Sequence, residues 1–356
     1  MSLLIPKLSK IDALLIFVPV VLATKFLNLV LSPVVIFALS IIAILPLAAK
    51  MGEATEDLAL HYGSHIGGLL NATFGNAAEL IIALIAVSKG LTELVKASLT
   101  GSIIGNLLFV LGISIVVGGL KYKEQKISNN IAGMNSTMLL IAVISIVIPS
   151  IFALIPGHAI ADENNLSIVI SILLIVLYAL SMVFSLKTHS YLFTKKNAAH
   201  EEPKWTKLHA AIMLIAATIL LALISEILIS QVEQVGHTFG ISEIFLGAVI
   251  IALVGNAAEH LAAIFFALKN DLDLVVNVTV GSSLQIALFV APLTVLAGVY
   301  LHVPMNLVFT TFEVIALFAS AIVVNEIAND GRVNWFEGAQ LIILYTIIAA
   351  LFYFIH

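Results

Sequence analysis

A succession of apolar runs, separated by short polar breaks, governs what this chain can fold into. Many of them reach the ~20 residues that an α-helix needs to cross a bilayer. Of the 356 residues 61% are hydrophobic and only 10% charged, against about 25% charged in a soluble domain. One aqueous core of this size cannot hide so much apolar surface, so the surplus faces lipid. There a backbone satisfies its own hydrogen bonds only as helices or as a closed barrel, and runs of this length are helices. Eleven spans are read, at 11–29, 32–51, 66–88, 94–119, 131–155, 165–186, 208–230, 241–268, 273–299, 305–325 and 334–355. The expected fold is an all-α polytopic membrane protein. Lys7 and Lys10 before the first run mimic a signal peptide, but no small-residue cleavage site follows, so that run is read as a retained helix. The chain lacks Cys, which excludes disulfides and thiolate metal sites, and its net charge of −5 carries no basic patch for nucleic acid.

Basic residues favour cytoplasmic loops. With the N-terminus inside, 13 Lys and Arg fall on the cytoplasmic side and three, Lys25, Lys89 and Lys96, outside. The longest polar stretch, 187–207, is then a cytoplasmic linker between two halves.

Those halves repeat. Residues 75–110 align without gaps on residues 255–290, 180 positions later, with 14 identities in 36 that include the pentapeptide GNAAE and a Gly-Ser pair. Each unit holds five helices, 2–6 and 7–11. Five is odd, so the second unit enters the membrane upside down relative to the first. The organisation read is a first helix (1–31), a first repeat (32–186), the linker (187–207) and a second repeat (208–356). In transporters, inverted repeats place substrate sites near the midplane, at interrupted helices. Gly75 and Gly255 are the expected interruptions here.

Glu79 and Glu259 follow these glycines at mid-bilayer depth, by the 1.5 Å rise per residue. A charged side chain there costs roughly 2.5–3.5 kcal/mol on insertion scales. No Lys or Arg lies at that depth, so the pair calls for a cation or protons, and carboxylate oxygen suits calcium. Asn76 and Asn256 are candidate neutral ligands. Ser102 and Asn106 on one partner helix, and Ser282 and Gln285 on the other, are candidate walls; interhelical hydrogen bonding is the plainer role for all of these. The mouths are acidic: Glu53, Glu56, Asp57, His61 and His65 on the inner side, Glu226, Glu233, His237 and Glu243 on the outer. They read as ion-attracting accessories or as ordinary solvated charge. Glu313, a quarter of the way into helix 10, is a third candidate acid.

GGLLNATFGNAAELI (67–81), VGNAAEHLAAI (254–264), GEATEDLA (52–59) and DGRVNWFEGAQL (330–341) resemble the calcium/proton exchangers of the calcium/cation antiporter superfamily. The resemblance implies that Glu79 and Glu259 bind calcium and carry protons. It implies that helices 1 and 6 of the family form a gating bundle sliding past a core, and that a homotrimer can assemble. The short, mixed-charge linker points to a prokaryotic cell membrane. The expected activity is calcium/proton antiport by alternating access, with Ca2+ and H+ as substrates, the lipid bilayer as surroundings and no cofactor. Alternatives are sodium/calcium exchange, manganese/proton antiport and a passive channel. An intramembrane metallo-hydrolase lacks the required HExxH spacing.

Overall fold

The structure, a computed structural model, describes residues 11–127, 129–157, 159–190 and 202–355. Lys7, Lys10 and most of the 187–207 linker lie outside the described residues. After a 3-10 turn (Asp12–Ile16) come α1 (Phe17–Phe26), α2 (Pro33–Tyr62), α3 (Ser64–Phe74), α4 (Ala77–Ser88), α5 (Thr92–Tyr122), α6 (Asn129–Phe152) and α7 (Ile160–Thr188). After 202 follow α8 (Lys207–Phe239), α9 (Glu243–Gly255), α10 (Ala257–Leu268), α11 (Leu272–Leu301), α12 (Thr311–Asp330) and α13 (Trp335–Phe354). Eight of these helices are long and apolar enough to span a membrane, and the pair α9–α10, bent by 60°, makes a ninth. The chain is a multi-pass helical membrane protein.

Helix ends follow capping chemistry rather than the limits of the apolar runs. Ser32 accepts from the Val35 amide to start α2 with Pro33 at its first position, and the helix continues to Gly63 (φ 79°). The expected end at residue 51 is therefore wrong: the charged stretch after it is made of good helix formers and stays helical. Glu53, Glu56, Asp57 and His61 stand on a helix, not in a loop. In the same way α8 runs on to Gly240, carrying Glu233 and His237. Helix 10 starts at Thr311, not 305, because Thr310 and Glu313 form a reciprocal capping box.

The fold is not purely helical. Glu124–Lys126 (β1) and Arg332–Asn334 (β2) form a two-stranded antiparallel ribbon, with Gln125 opposite Val333. It joins the end of α5 to the turn between α12 and α13.

α2 and α8 pack along each other; Ala43, Leu47, Met51 and Ala54 are among the buried residues of the first, and Leu221, Ile224, Leu228 and Val232 among those of the second. α5 is the most buried of the long helices and α7 the least. Small residues bring helices together where lipid supplies no hydrophobic push. At the α5–α13 crossing, a Cβ on Gly112 would lie 2.9 Å from the Gly338 carbonyl oxygen. Single π-helical turns interrupt α5 at Gly105–Val110 and α11 at Ile286–Val290, nearly 180 residues apart. Such turns are frequent at functional positions.

Candidate functional site

Two helix breaks build the site. α3 stops at Phe74 and α4 starts at Ala77; α9 stops at Gly255 and α10 starts at Ala257. The residues that leave helical geometry are Asn76 (φ −110°, ψ 32°) and Asn256 (φ −90°, ψ 14°), one past the glycines expected to break the helices. Gly75 keeps helical angles (φ −56°, ψ −43°) and serves close approach instead: a Cβ there would lie 3.3 Å from Gln285 Oε1. Each break frees the N-terminus of a 12-residue half-helix and puts a glutamate in its first turn, Glu79 in α4 and Glu259 in α10. The positive end of a helix dipole favours an anion there.

The two acids converge. A Cβ on Gly255 would fall 3.2 Å from Glu79 Cγ and 3.5 Å from its Oε1. Gly255, Gly75 and Glu259 line one cavity of about 30 Å³, closed on another side by Ala48, Met51 and Gly52 of α2. That is room for a water or two or a desolvated ion. The charges of Glu79 and Glu259 act on each other. Glu79 is buried, and neither of its carboxylate oxygens has a hydrogen-bond partner. Among the described residues no Lys or Arg pairs with either acid, and no group of three or more His, Cys, Asp or Glu is placed to hold a metal ion. Two carboxylates without a third suit a cation that is held and released.

Around the acids a hydrogen-bonded belt ties the two halves together. Ser282 Oγ donates to Asn76 Oδ1 (2.6 Å) and Asn256 Nδ2 donates to Ser102 Oγ (2.9 Å), the same Asn–Ser pairing 180 residues apart. Asn106 Nδ2 bridges to Asn256 Oδ1 (3.0 Å) and Ser282 Oγ (3.2 Å), and Asn76 Nδ2 donates to Gln285 Oε1 (2.5 Å). The side-chain oxygens of Asn76 and Asn256 are thus engaged with protein donors. Asn106 Oδ1 is buried without a partner.

The accessory acids are elsewhere. Glu53 pairs with Lys50 (2.9 Å), and Glu233 lies 3.9 Å from His237 on an exposed face. Glu56 is exposed. Asp57 is buried, accepting from the backbone amides of Lys204 (2.6 Å) and Trp205 (3.1 Å), where it holds the start of α8. Glu313 is buried, but Oε2 accepts from the Thr310 amide and hydroxyl and Oε1 from Thr100; it is a helix cap. Ala48, Met51 and Gly52, the α2 wall of the cavity, carry no chemistry that marks them in the sequence.

Beside the belt lies a larger cavity of about 590 Å³, between α3, α6, α7 and α11. Its walls are mostly apolar, with Asn71, Asn135, Asn277 and Gln285 as polar points. Gln285 also accepts from Asn76 and lies beside Gly75, so one residue of this cavity's wall adjoins the wall of the small one.

Two broken helices in a multi-pass bundle bring a pair of acids to one place, Glu259 in the lining of the small cavity and Glu79 against Gly255 of its wall, an arrangement that suits an ion transporter. The chain belongs to the sodium/calcium exchanger protein family, whose sequence profile matches residues 32–187 and 209–354. It is 49% identical over 324 residues to the Ca(2+)/H(+) antiporter ChaA of Bacillus subtilis, covering 90% of this chain and 92% of that protein. It is 42% identical to a Ca(2+)/H(+) antiporter of Aphanothece halophytica, over 96% of this chain and 95% of that one. Among solved structures, native YfkE superposes with a TM-score of 0.85 at 43% identity, covering 97% of this chain and 99% of the other.

Proposed function

We propose that this protein exchanges Ca2+ for protons by alternating access, with Glu79 and Glu259 binding either the ion or protons. One observation carries the reading: two carboxylates from opposite halves come together without a basic partner, Glu259 lining the small cavity and Glu79 buried against Gly255 of its wall with both oxygens unbonded. Calcium, entering from one side, displaces the protons. After the carrier turns, protons from the other side neutralise the pair and calcium leaves. The names of the relatives agree.

We read eleven spans, adding α1 and the α3–α4 pair to the nine above, as a first helix and two inverted five-helix repeats with the N-terminus inside. Contacts between loops support that threading. The ribbon β1–β2 and the bonds from Lys121 and Tyr122 to the Leu268 carbonyl need three connections on one membrane face. Lys25 and Lys89 both reach Glu226, on the opposite face. The proposed location is a prokaryotic plasma membrane.

The conformation is one-sided. Gly101 of α5 sits so close to α9 that a Cβ there would collide with the Ala248 backbone. Their counterparts 180 residues away, Gly281 and Gly68, face the 590 Å³ cavity, and a Cβ on Gly281 would meet nothing within 4 Å. With the N-terminus inside, the open side is cytoplasmic. In sodium-free proteoliposomes, a pH step alone should drive calcium uptake. Uptake that requires sodium, or that persists once the pH gradient is dissipated, overturns the proposal.

A further inference from the structure

We propose that α1, which has no counterpart in the repeats, is a brace that joins α2 and α8 into one body that moves as a unit during transport. The inference rests on the alternating-access reading above, and takes the first helices of the two repeats, α2 and α8, as the moving pair.

The brace is built at three levels. At one end, Asp12 Oδ1 pairs with Lys50 Nζ at 2.8 Å, and both side chains are largely buried. Lys50 also holds Glu53, and it immediately precedes Met51 and Gly52, which line the ion cavity. In the middle, Val18 and Val21 are buried where α1 packs on α2 and α8. At the other end, Lys25 Nζ meets Glu226 Oε2 of α8 at 2.6 Å. The 3-10 turn and α1 together therefore grip α2 at one membrane face and α8 at the other, a diagonal that resists sliding of one along the other. A buried pair such as Asp12–Lys50 is strongly destabilising when half of it is removed, because the remaining charge is stranded. Asp12 and Lys50 are positioning residues: they touch no ion, but they fix the helix that forms one wall of its cavity.

Lys89, at the end of α4, makes the informative contrast. Its Nζ donates to the Glu226 carbonyl at 3.1 Å, so the same point of α8 is touched by the brace through Lys25 and by the acid-bearing half-helix through Lys89. Motion of α8 with α1 past α4 preserves the first contact and breaks the second.

The absence of cysteine makes a direct test available. The double variants Lys25→Cys/Glu226→Cys and Lys89→Cys/Glu226→Cys are reconstituted and tethered with a short, reducible thiol cross-linker. Calcium transport is measured before tethering, after it and after reduction. The tether between 25 and 226 should leave at least about half of the rate, and the tether between 89 and 226 should lower it about tenfold or more, reversibly. Reversible arrest by the 25–226 tether overturns the brace. Free transport with both tethers in place overturns instead the relative motion of α8 and α4. As a second measurement, Asp12→Lys and Lys50→Asp alone should each lower Vmax about fivefold with KM for calcium unchanged, and the double swap should restore most of it. Single variants that weaken KM and leave Vmax intact also overturn the brace.

Discussion

Glu79 and Glu313 are both buried carboxylates in the first turn of a helix, and they do opposite things. Glu313 Oε2 receives the Thr310 amide and hydroxyl, and Oε1 receives Thr100. Its charge is spent on starting α12. α4 begins without a side-chain cap, its N-terminal Asn76 being drawn away to Ser282 and Gln285, and Glu79 lies against Gly255 with neither oxygen bonded. α10 repeats that arrangement with Asn256 and Glu259. A buried acid is therefore no signature of an ion site by itself. The signature is a buried acid whose oxygens the protein leaves unmet, since such a group is costly unless an ion, a proton or water satisfies it.

The contrast is sharpest in transport. Glu79→Gln and Glu259→Gln should each lower calcium uptake by about a hundredfold or more while inserting and folding normally. Glu313→Gln should leave uptake within about twofold. Comparable losses from all three would erase the distinction. Next in size is the packed seam. Gly101→Val should cost about 1–3 kcal/mol of thermal stability in detergent, because the Ala248 backbone cannot yield. Gly281→Val, built into open space, should shift stability by under about 0.5 kcal/mol. Equal melting temperatures for the two would contradict the one-sided conformation. Asn256→Ala takes from Ser102 Oγ its donor and from Asn106 Nδ2 one of its two acceptors, and should cost about 1–3 kcal/mol in the same melt. Smallest is Thr310→Ala, which should cost about 1 kcal/mol through loss of the cap, with KM for calcium unchanged. A shifted KM there would return Glu313 to the ion path.

The difference between these acids is only partly legible in the sequence. GNAAE at both 75 and 255 marks the paired acids, because repetition at one offset over apolar helices selects them from 21 Asp and Glu. The role of Glu313 was written in Thr310-x-x-Glu313, a capping-box pattern, but hydropathy ran the helix back to 305 and hid it. The Asn–Ser belt was legible as residue types and not as bonds: that Asn76 meets Ser282 while Asn256 meets Ser102 depends on how the halves interlock. The same holds for Asp12 with Lys50 and for Asp57 with the amides of 204 and 205, partners far apart in sequence that no periodicity connects. The breaks fall at asparagine and not at glycine because the belt pulls each asparagine side chain across to the other half.

Calcium binding measured by calorimetry across a pH series, in buffers of differing ionisation enthalpy, tests the central claim most directly. The account predicts that calcium affinity falls as pH falls, with protons released on binding, and that both effects vanish in Glu79→Gln/Glu259→Gln. Calcium affinity independent of pH, with no proton released, would contradict it.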